Sequence, residues 1–173
     1  MVGRVTAVAK ASTASTPAIR VLVQAGVPHR VHAYEHDPRV DSYGAEAVEA
    51  LARRIGADPE QICKTLVLEL STGGLAVAVL PVPRSLSLKA VAAALGAPKA
   101  GMADRVRAER STGYVLGGIS PLGQRKRLPT VVDASVLDRE RVLCSAGKRG
   151  LEIELAPNDL IRLAAAVTAP ITT

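Results

Sequence analysis

TLVLELSTGGLAVAVLPV, residues 65–82, sets two apolar runs on either side of a polar break. The first run, Thr65 to Leu70, has the Leu, Val and Thr content of a strand. Ser71-Thr72-Gly73-Gly74 supplies the turn chemistry of a hairpin. The return run, Leu75 to Val82, is nearly all apolar, so it is expected to lie at the centre of a sheet with both faces covered. A hairpin in mid-chain implies antiparallel neighbours and not a regular alternation of strand and helix.

Outward from the hairpin the pattern stays mixed. Towards the C-terminus, Ser85 and Ser87 precede a helix over about Leu88–Leu95, closed by Gly96. A basic helix follows over about Ala103–Arg110, and then a glycine-punctuated stretch, Ser111 to Gly123. Thr130–Asp133 and Arg141–Ser145 read as short strands. The turn at residues 146–150 joins the second of these to Leu151–Leu155 in another hairpin. A last helix is expected from near Pro157 and Asp159 to about Val167. Towards the N-terminus, Asp58-Pro59 opens a short helical turn, and a helix is read over about Ala45–Ile55 with Gly56 behind it. Glu35-His36-Asp37-Pro38 is a turn after a strand at His29–Tyr34. Thr16-Pro17 pairs a good N-cap with a good first helical residue, and that helix ends at Gly26. Residues 1–15 show no period and are expected to form a mobile tail, leaving one domain over residues 16–173. No internal repeat is present. The element order predicts an α+β fold with a mixed or largely antiparallel sheet.

With 173 residues, 48% of them hydrophobic and 22% charged, the chain can bury a real core, which excludes disorder as its main state. That core must be aliphatic, because there are three Tyr and neither Phe nor Trp. The same scarcity disfavours a row of aromatic platforms for single-stranded nucleic acid. Twenty-two Lys and Arg against 16 Asp and Glu give +6, a balance suited to a polyanionic partner. Two cysteines outside any CxxC pair make no disulfide framework and fit a reducing, cytoplasmic setting. No run approaches the ~20 apolar residues of a membrane span, and no long apolar leader is evident.

Several residues carry chemistry in principle. His29, His32 and His36 are close in sequence, but on a strand the first two point to opposite faces, and no HExxH or Cys/His pattern supports a metal. They are read as surface or edge-strand histidines. Cys63 and Cys144 are read as buried structural thiols, although Lys64 adjoins the first. There is no GxSxG elbow, P-loop or dinucleotide-binding glycine pattern. Gly117-Gly118-Ile119-Ser120-Pro121-Leu122-Gly123 permits close approach to the backbone, whose N–H groups can meet a carbonyl oxygen, a ribose or a phosphate. By composition alone it is a tight loop. The Gln124-Arg125-Lys126-Arg127 run behind it is either a solvated face or a contact for a phosphate backbone. Lys64, at the entrance to the Thr65–Leu70 strand, is either a surface lysine or a donor to an oxyanion or phosphate; spacing does not choose.

Taken together, five segments resemble the YbaK family. They are Thr16-Pro17-Ala18, Tyr34-Glu35-His36-Asp37-Pro38, Cys63-Lys64-Thr65-Leu66-Val67, the run from Ser111 to Gly123, and Gly147-Lys148-Arg149-Gly150. They keep the family's order and span about Thr16 to Val167. The resemblance implies a curved, barrel-like mixed sheet surrounded by helices, related to the editing domain of bacterial prolyl-tRNA synthetases. It implies trans-editing hydrolysis of the ester between a wrong amino acid and tRNA, with Cys-tRNA(Pro) as the substrate of the branch that looks nearest. Lys64 matches the family's essential lysine. Tyr34, Tyr43 and Thr65 match positions that line the pocket. Gly117, Gly118, Ile119, Ser120, Pro121 and Gly123 match the loop that holds the substrate end, and Ser145 and Gly147 a second pocket loop. Glu152 departs from an Asp common in relatives, and Ala146 from a Gly. Arg125, Lys126, Arg127, Lys148 and Arg149 are expected on the tRNA backbone. The family needs no metal or organic cofactor, because the thiol of a cysteinyl ester can itself attack the carbonyl while the protein positions it. Prolyl-tRNA synthetase is the protein partner that the resemblance raises without requiring. The competing readings are a deacylase for Ala or another small residue, a non-catalytic tRNA-binding module of the same fold, and a small-molecule binder.

Overall fold

The computed structural model describes residues 15–173; the tail expected at the N-terminus lies outside them apart from Ser15. Helix α1, Pro17–Gln24, starts where Thr16 accepts a hydrogen bond from the Ile19 N–H at 3.2 Å. The Thr16 hydroxyl also donates to the Ala146 carbonyl, which ties the helix start to a distant strand. Strand β1 (His29–Ala33) and helix α2 (Tyr43–Ile55) follow, the helix closed by Gly56 in the left-handed region. Strands β2 (Cys63–Leu70) and β3 (Leu75–Pro81) form the antiparallel hairpin expected from the sequence, with Val67 opposite Val77.

Helix α3 (Leu88–Ala94), strand β4 (Ala100–Met102), helix α4 (Arg105–Thr112) and strand β5 (Thr130–Asp133) come next. Strands β6 (Val142–Lys148) and β7 (Leu151–Leu155), helix α5 (Pro157–Leu163) and strand β8 (Val167–Ala169) complete the chain. The five-stranded sheet has the order β4-β2-β3-β5-β8. In it β2 runs antiparallel to β3 and β4, whereas β3, β5 and β8 run parallel. The three-stranded sheet, β1-β7-β6, is wholly antiparallel.

The α+β class and the mixed pairing thus agree with the sequence, but the sheet does not close. An isolated parallel bridge between Ile62 and Leu143 links the two sheets at one edge, so "barrel-like" describes the curvature only loosely. Two elements differ from expectation. Helix α5 stops at Leu163, because Ala165 takes a positive φ of 48°, and Val167 then pairs with Val131 in β8. β4 was hidden because a three-residue strand, Ala-Gly-Met, is too short to show alternation.

Every residue of β3 is buried, and its alternation separates two apolar layers. Val77 and Val79 face the core between the sheets, with Ile153, Leu155 and Cys144. Ala78 and Leu80 face the other side, under Val91 of α3. Helix α2 covers the three-stranded sheet through Ala47 and Leu51, against Leu143.

Between α4 and β5 the chain has no regular structure and is held by specific bonds. The buried Tyr114 hydroxyl donates to the Leu122 carbonyl at 2.6 Å, closing the glycine loop on itself. The Arg125 and Lys126 N–H groups donate to Thr112 and Ser111 carbonyls, both at 2.9 Å, and so cap the end of α4. Removing the Tyr114 hydroxyl leaves a buried carbonyl unsatisfied. Tyr114→Phe should therefore lower the unfolding free energy by about 1–3 kcal/mol, measured by urea titration, with the fold retained by circular dichroism.

Candidate active site

The first turn of α2, the start of β2 and the glycine loop converge on a cavity of about 200 Å³. Tyr43, Gly44 and Ala47 come from α2; Cys63, Lys64, Thr65 and Leu66 from β2. Leu116, Gly117 and Ile119 come from the loop, and Val82, Ser145 and Glu152 complete the wall. The loop reaches this position only because it carries glycine. A Cβ at Gly117, whose φ is +84°, would stand 2.5 Å from the Tyr43 ring. A Cβ at Gly118 would stand 2.9 Å from the Arg149 backbone nitrogen.

The electrostatics follow from burial. Lys64 is half-buried, and its Nζ donates to the Val82 carbonyl at 3.2 Å. Burial lowers its pKa, and two of the three ammonium protons remain for other acceptors. Glu152 is a buried part of the cavity wall, and burial pushes its carboxyl up to about 8. Its Oε2 and the Thr65 Oγ1 are buried without a hydrogen-bond partner in the protein. Buried polar atoms in native folds find partners, and within the cavity wall these two are free to bond an occupant. Ser145 Oγ is committed to the Gly147 N–H at 3.1 Å. Burial also raises the Cys63 thiol to about 12, helped by the negative charge of Glu152, Asp133 and Glu60. Cys144, wholly enclosed, is raised well above its ordinary value. Both thiols are free and buried, as the sequence implied, and neither has the low pKa of a nucleophile.

The fold brings together Tyr43, Lys64, Thr65, Gly117, Ile119, Ser145 and Glu152. It places other candidates outside the wall. Tyr34 packs on the Ala47–Leu51 cluster, and its N–H bonds the Gly150 carbonyl at 2.9 Å. Its phenol pKa is raised by burial and then by Glu152 and Glu46. Gly118 lies against the Lys148–Arg149 backbone. Ser120 is fully buried, and its Oγ accepts from the Leu122 N–H at 3.2 Å. Pro121 and Gly123 border a different cavity, with Val21 and Arg127. Gly147 sits against the Tyr114 ring.

Gly44, Ala47, Cys63, Leu66, Val82 and Leu116 line the site without having been singled out for it. They are small or apolar, and no local pattern distinguishes a cavity wall from a core.

The basic candidates divide. Arg125, Lys126, Arg127 and Lys148 are exposed, with no ion pair among the described residues. Arg149 is half-buried; its Cζ lies 4.8 Å from the Tyr43 ring centroid, and its Nε donates to the Leu116 carbonyl at 2.8 Å. The histidines serve separate structural contacts. His36 Nδ1 meets Glu46 Oε1 at 2.6 Å, His29 Nδ1 meets the Val27 carbonyl at 2.7 Å, and His32 lies 3.7 Å from Glu154. Among the described residues, no group of three metal-ligating side chains comes together.

Residues 43–163, from the Tyr43 wall to the end of α5, match the aminoacyl-tRNA editing domain. The chain belongs to the aminoacyl-tRNA editing family. Editing of this kind is hydrolysis of the ester that joins an amino acid to tRNA, so the protein is an aminoacyl-tRNA deacylase. An Enterococcus faecalis protein named "Putative Cys-tRNA(Pro)/Cys-tRNA(Cys) deacylase EbsC" is 37% identical over 164 residues, covering 95% of this chain and 97% of that protein. Two solved structures share the editing-domain fold. One is entitled a "putative trans-editing enzyme for prolyl tRNA synthetase", at a TM-score of 0.77 and 24% identity, covering 92% of this chain and 98% of that one. The other is a hypothetical protein, at a TM-score of 0.78 and 25% identity, covering 91% of this chain and 100% of that one. Among the described residues, no helix is long and apolar enough to cross a membrane.

Glu152 yields a test that needs no substrate. Its carboxyl holds a proton from the ordinary value of 4.5 up to about 8 in the fold but not in the unfolded chain. Stability should therefore be full below pH 4.5 as far as this group is concerned, and fall as pH rises towards 8, by up to about 1.4 kcal/mol per pH unit. Glu152→Gln, which cannot ionise, should flatten that decline in urea titrations at pH 5, 6.5 and 8.

Proposed function

We propose that the protein removes cysteine from tRNA for proline, acting in trans, and that the substrate's thiol is the first nucleophile. The carrying observation is a cavity of about 200 Å³ whose one basic residue is Lys64 and whose own cysteine, Cys63, is held un-ionised. A space of this size suits a small aminoacyl group. The 37% identical relative, named a Cys-tRNA(Pro)/Cys-tRNA(Cys) deacylase, supports cysteine as the amino acid removed.

The chemistry balances without a protein nucleophile. The substrate sulfur bonds to the carbonyl carbon, the ester C–O bond breaks, and the terminal ribose hydroxyl leaves with the thiol proton. Water then opens the resulting thiolactone to free cysteine. The protein's share is positioning and electrostatics. Lys64 orients the ester through its carbonyl oxygen or through the adjacent phosphate. Thr65 and Glu152 offer the unpartnered polar atoms that hold the aminoacyl group. Tyr43, Gly117, Ile119 and Ser145 shape the wall. Arg125, Lys126, Arg127 and Lys148, exposed beyond the loop, contact the tRNA backbone. Prolyl-tRNA synthetase, which would form the mischarged ester, is the protein partner in this scheme, and the cytoplasm is its setting.

The test is deacylation of tRNA for proline charged with Cys, Ala or Pro. Cysteine should be released fastest. Equal release of alanine, which has no thiol, would remove the substrate-assisted step. Lys64→Ala should stay folded and lose on the order of 10²–10³ in single-turnover rate, with poor rescue by Lys64→Arg, whose planar fork does not replace a compact ammonium. Cys63→Ala and Cys144→Ser should keep most of the rate and show any loss as lower thermal stability. A folded Cys63→Ala protein without turnover would return the nucleophile to the enzyme.

A further inference from the structure

The loop residue Leu116 lies at the mouth of the cavity, half out in solvent, and side chains hold both of its backbone polar groups. Its N–H donates to Glu109 Oε1 at 3.2 Å, and its carbonyl accepts from Arg149 Nε at 2.8 Å. Glu109 is in turn fixed by Arg105 Nε at 2.9 Å. The next residue, Gly117, leaves no room for a Cβ beside the Tyr43 ring. Over that same ring stands the Arg149 guanidinium, 4.8 Å from its centroid. One side chain at the tip of the β6–β7 hairpin therefore joins the first turn of α2 to the loop that closes the cavity.

A cation that serves only to meet tRNA phosphates gains from being mobile and solvated, as at Lys126 and Arg127, which are exposed with no ion pair among the described residues. Arg149 has neither freedom: its guanidinium carbon stands over the Tyr43 ring and its Nε is committed to the Leu116 carbonyl. We propose that Arg149 is a positioning residue of the deacylation, holding Tyr43 and Leu116–Gly117 in the arrangement that orients the ester, rather than a contact for the tRNA backbone. Lysine can keep the charge at this site. It has no planar face to lay on the ring and no second donor set at a fixed angle to the first, so it cannot make both contacts at once.

The inference rests on the deacylase reading above, and the experiment separates the two. Arg149→Lys and Arg149→Ala are compared with the unmodified protein in kcat, KM, the salt dependence of KM, and melting temperature. Amide hydrogen exchange over residues 114–119 is measured on the free proteins. Arg149→Lys should lose on the order of 10² in kcat, as a misplaced reactive centre does, while KM and its salt slope stay near the original. Melting temperature should hold, and exchange over residues 114–119 should quicken in both variants. Recovery of kcat by Arg149→Lys, or a raised KM with a flatter salt slope in Arg149→Ala alone, would make Arg149 a phosphate contact and overturn the proposal. Unchanged exchange would overturn it as well. If the unmodified protein fails to release cysteine from tRNA for proline, the substrate reading falls, and the exchange measurement still decides whether Arg149 holds the loop.

Discussion

Between the ring of Tyr43 and the backbone of Lys148 and Arg149 there is no space for a β-carbon, and the chain passes through that gap as Gly117-Gly118. The closure of the cavity depends on this approach. With any side chain at Gly117 the loop would stand off from α2, and Ile119 and Leu116 would no longer meet the start of β2. The approach is kept by bonds on either side of it. Tyr114 closes the loop from within through Leu122, and Arg125 and Lys126 fasten its exit to the end of α4. The Thr16 hydroxyl on Ala146 holds the hairpin opposite, so α1 also bears on the site, although it lines none of it.

Burial then sets the character of the interior. It pushes Glu152 and Cys63 towards their neutral forms and works against the charge on Lys64, all by the same loss of solvation. Within the chamber Lys64 is the one basic group, whereas the surface beyond the loop bears Arg125, Lys126, Arg127 and Lys148 in water. That separation suits an ester of a small amino acid on a polyanion. In the proposed reading, the phosphate-rich part would meet cations that stay solvated, and the small side chain would enter a space where a free carboxylate or thiolate is costly.

Much of the fold was legible along the chain because its signals are local. The 65–82 hairpin announces itself by turn residues between two apolar runs. The both-sided burial of β3 follows from its lack of polar alternation, and α1 from Thr16-Pro17. The resemblance carried by the lysine and glycine segments led to the editing family. The same logic failed at β4 and β8, which are three residues each and become strands only by pairing with longer neighbours. It failed at the end of α5 too, where Ala164-Ala165-Ala166 reads as helix and a left-handed Ala165 ends it.

By itself, then, the sequence determined the class of fold, the aliphatic core, the burial of two unpaired cysteines and the few polar positions from which a site could be built. These depend on composition and on neighbours within a few residues. Only the tertiary structure decided which of those positions meet. Tyr43, Lys64, Gly117 and Glu152 are separated by up to 109 positions yet share one wall, while Pro121 and Gly123, next to Gly117 in the chain, turn away to another cavity. It also decided that Arg149, indistinguishable in sequence from the other basic residues, stands over the Tyr43 ring and is bonded to the loop rather than free. The physical reason is that a cavity is the space left between elements. Its walls are set by how sheets and helices pack, and no short run of residues carries that information.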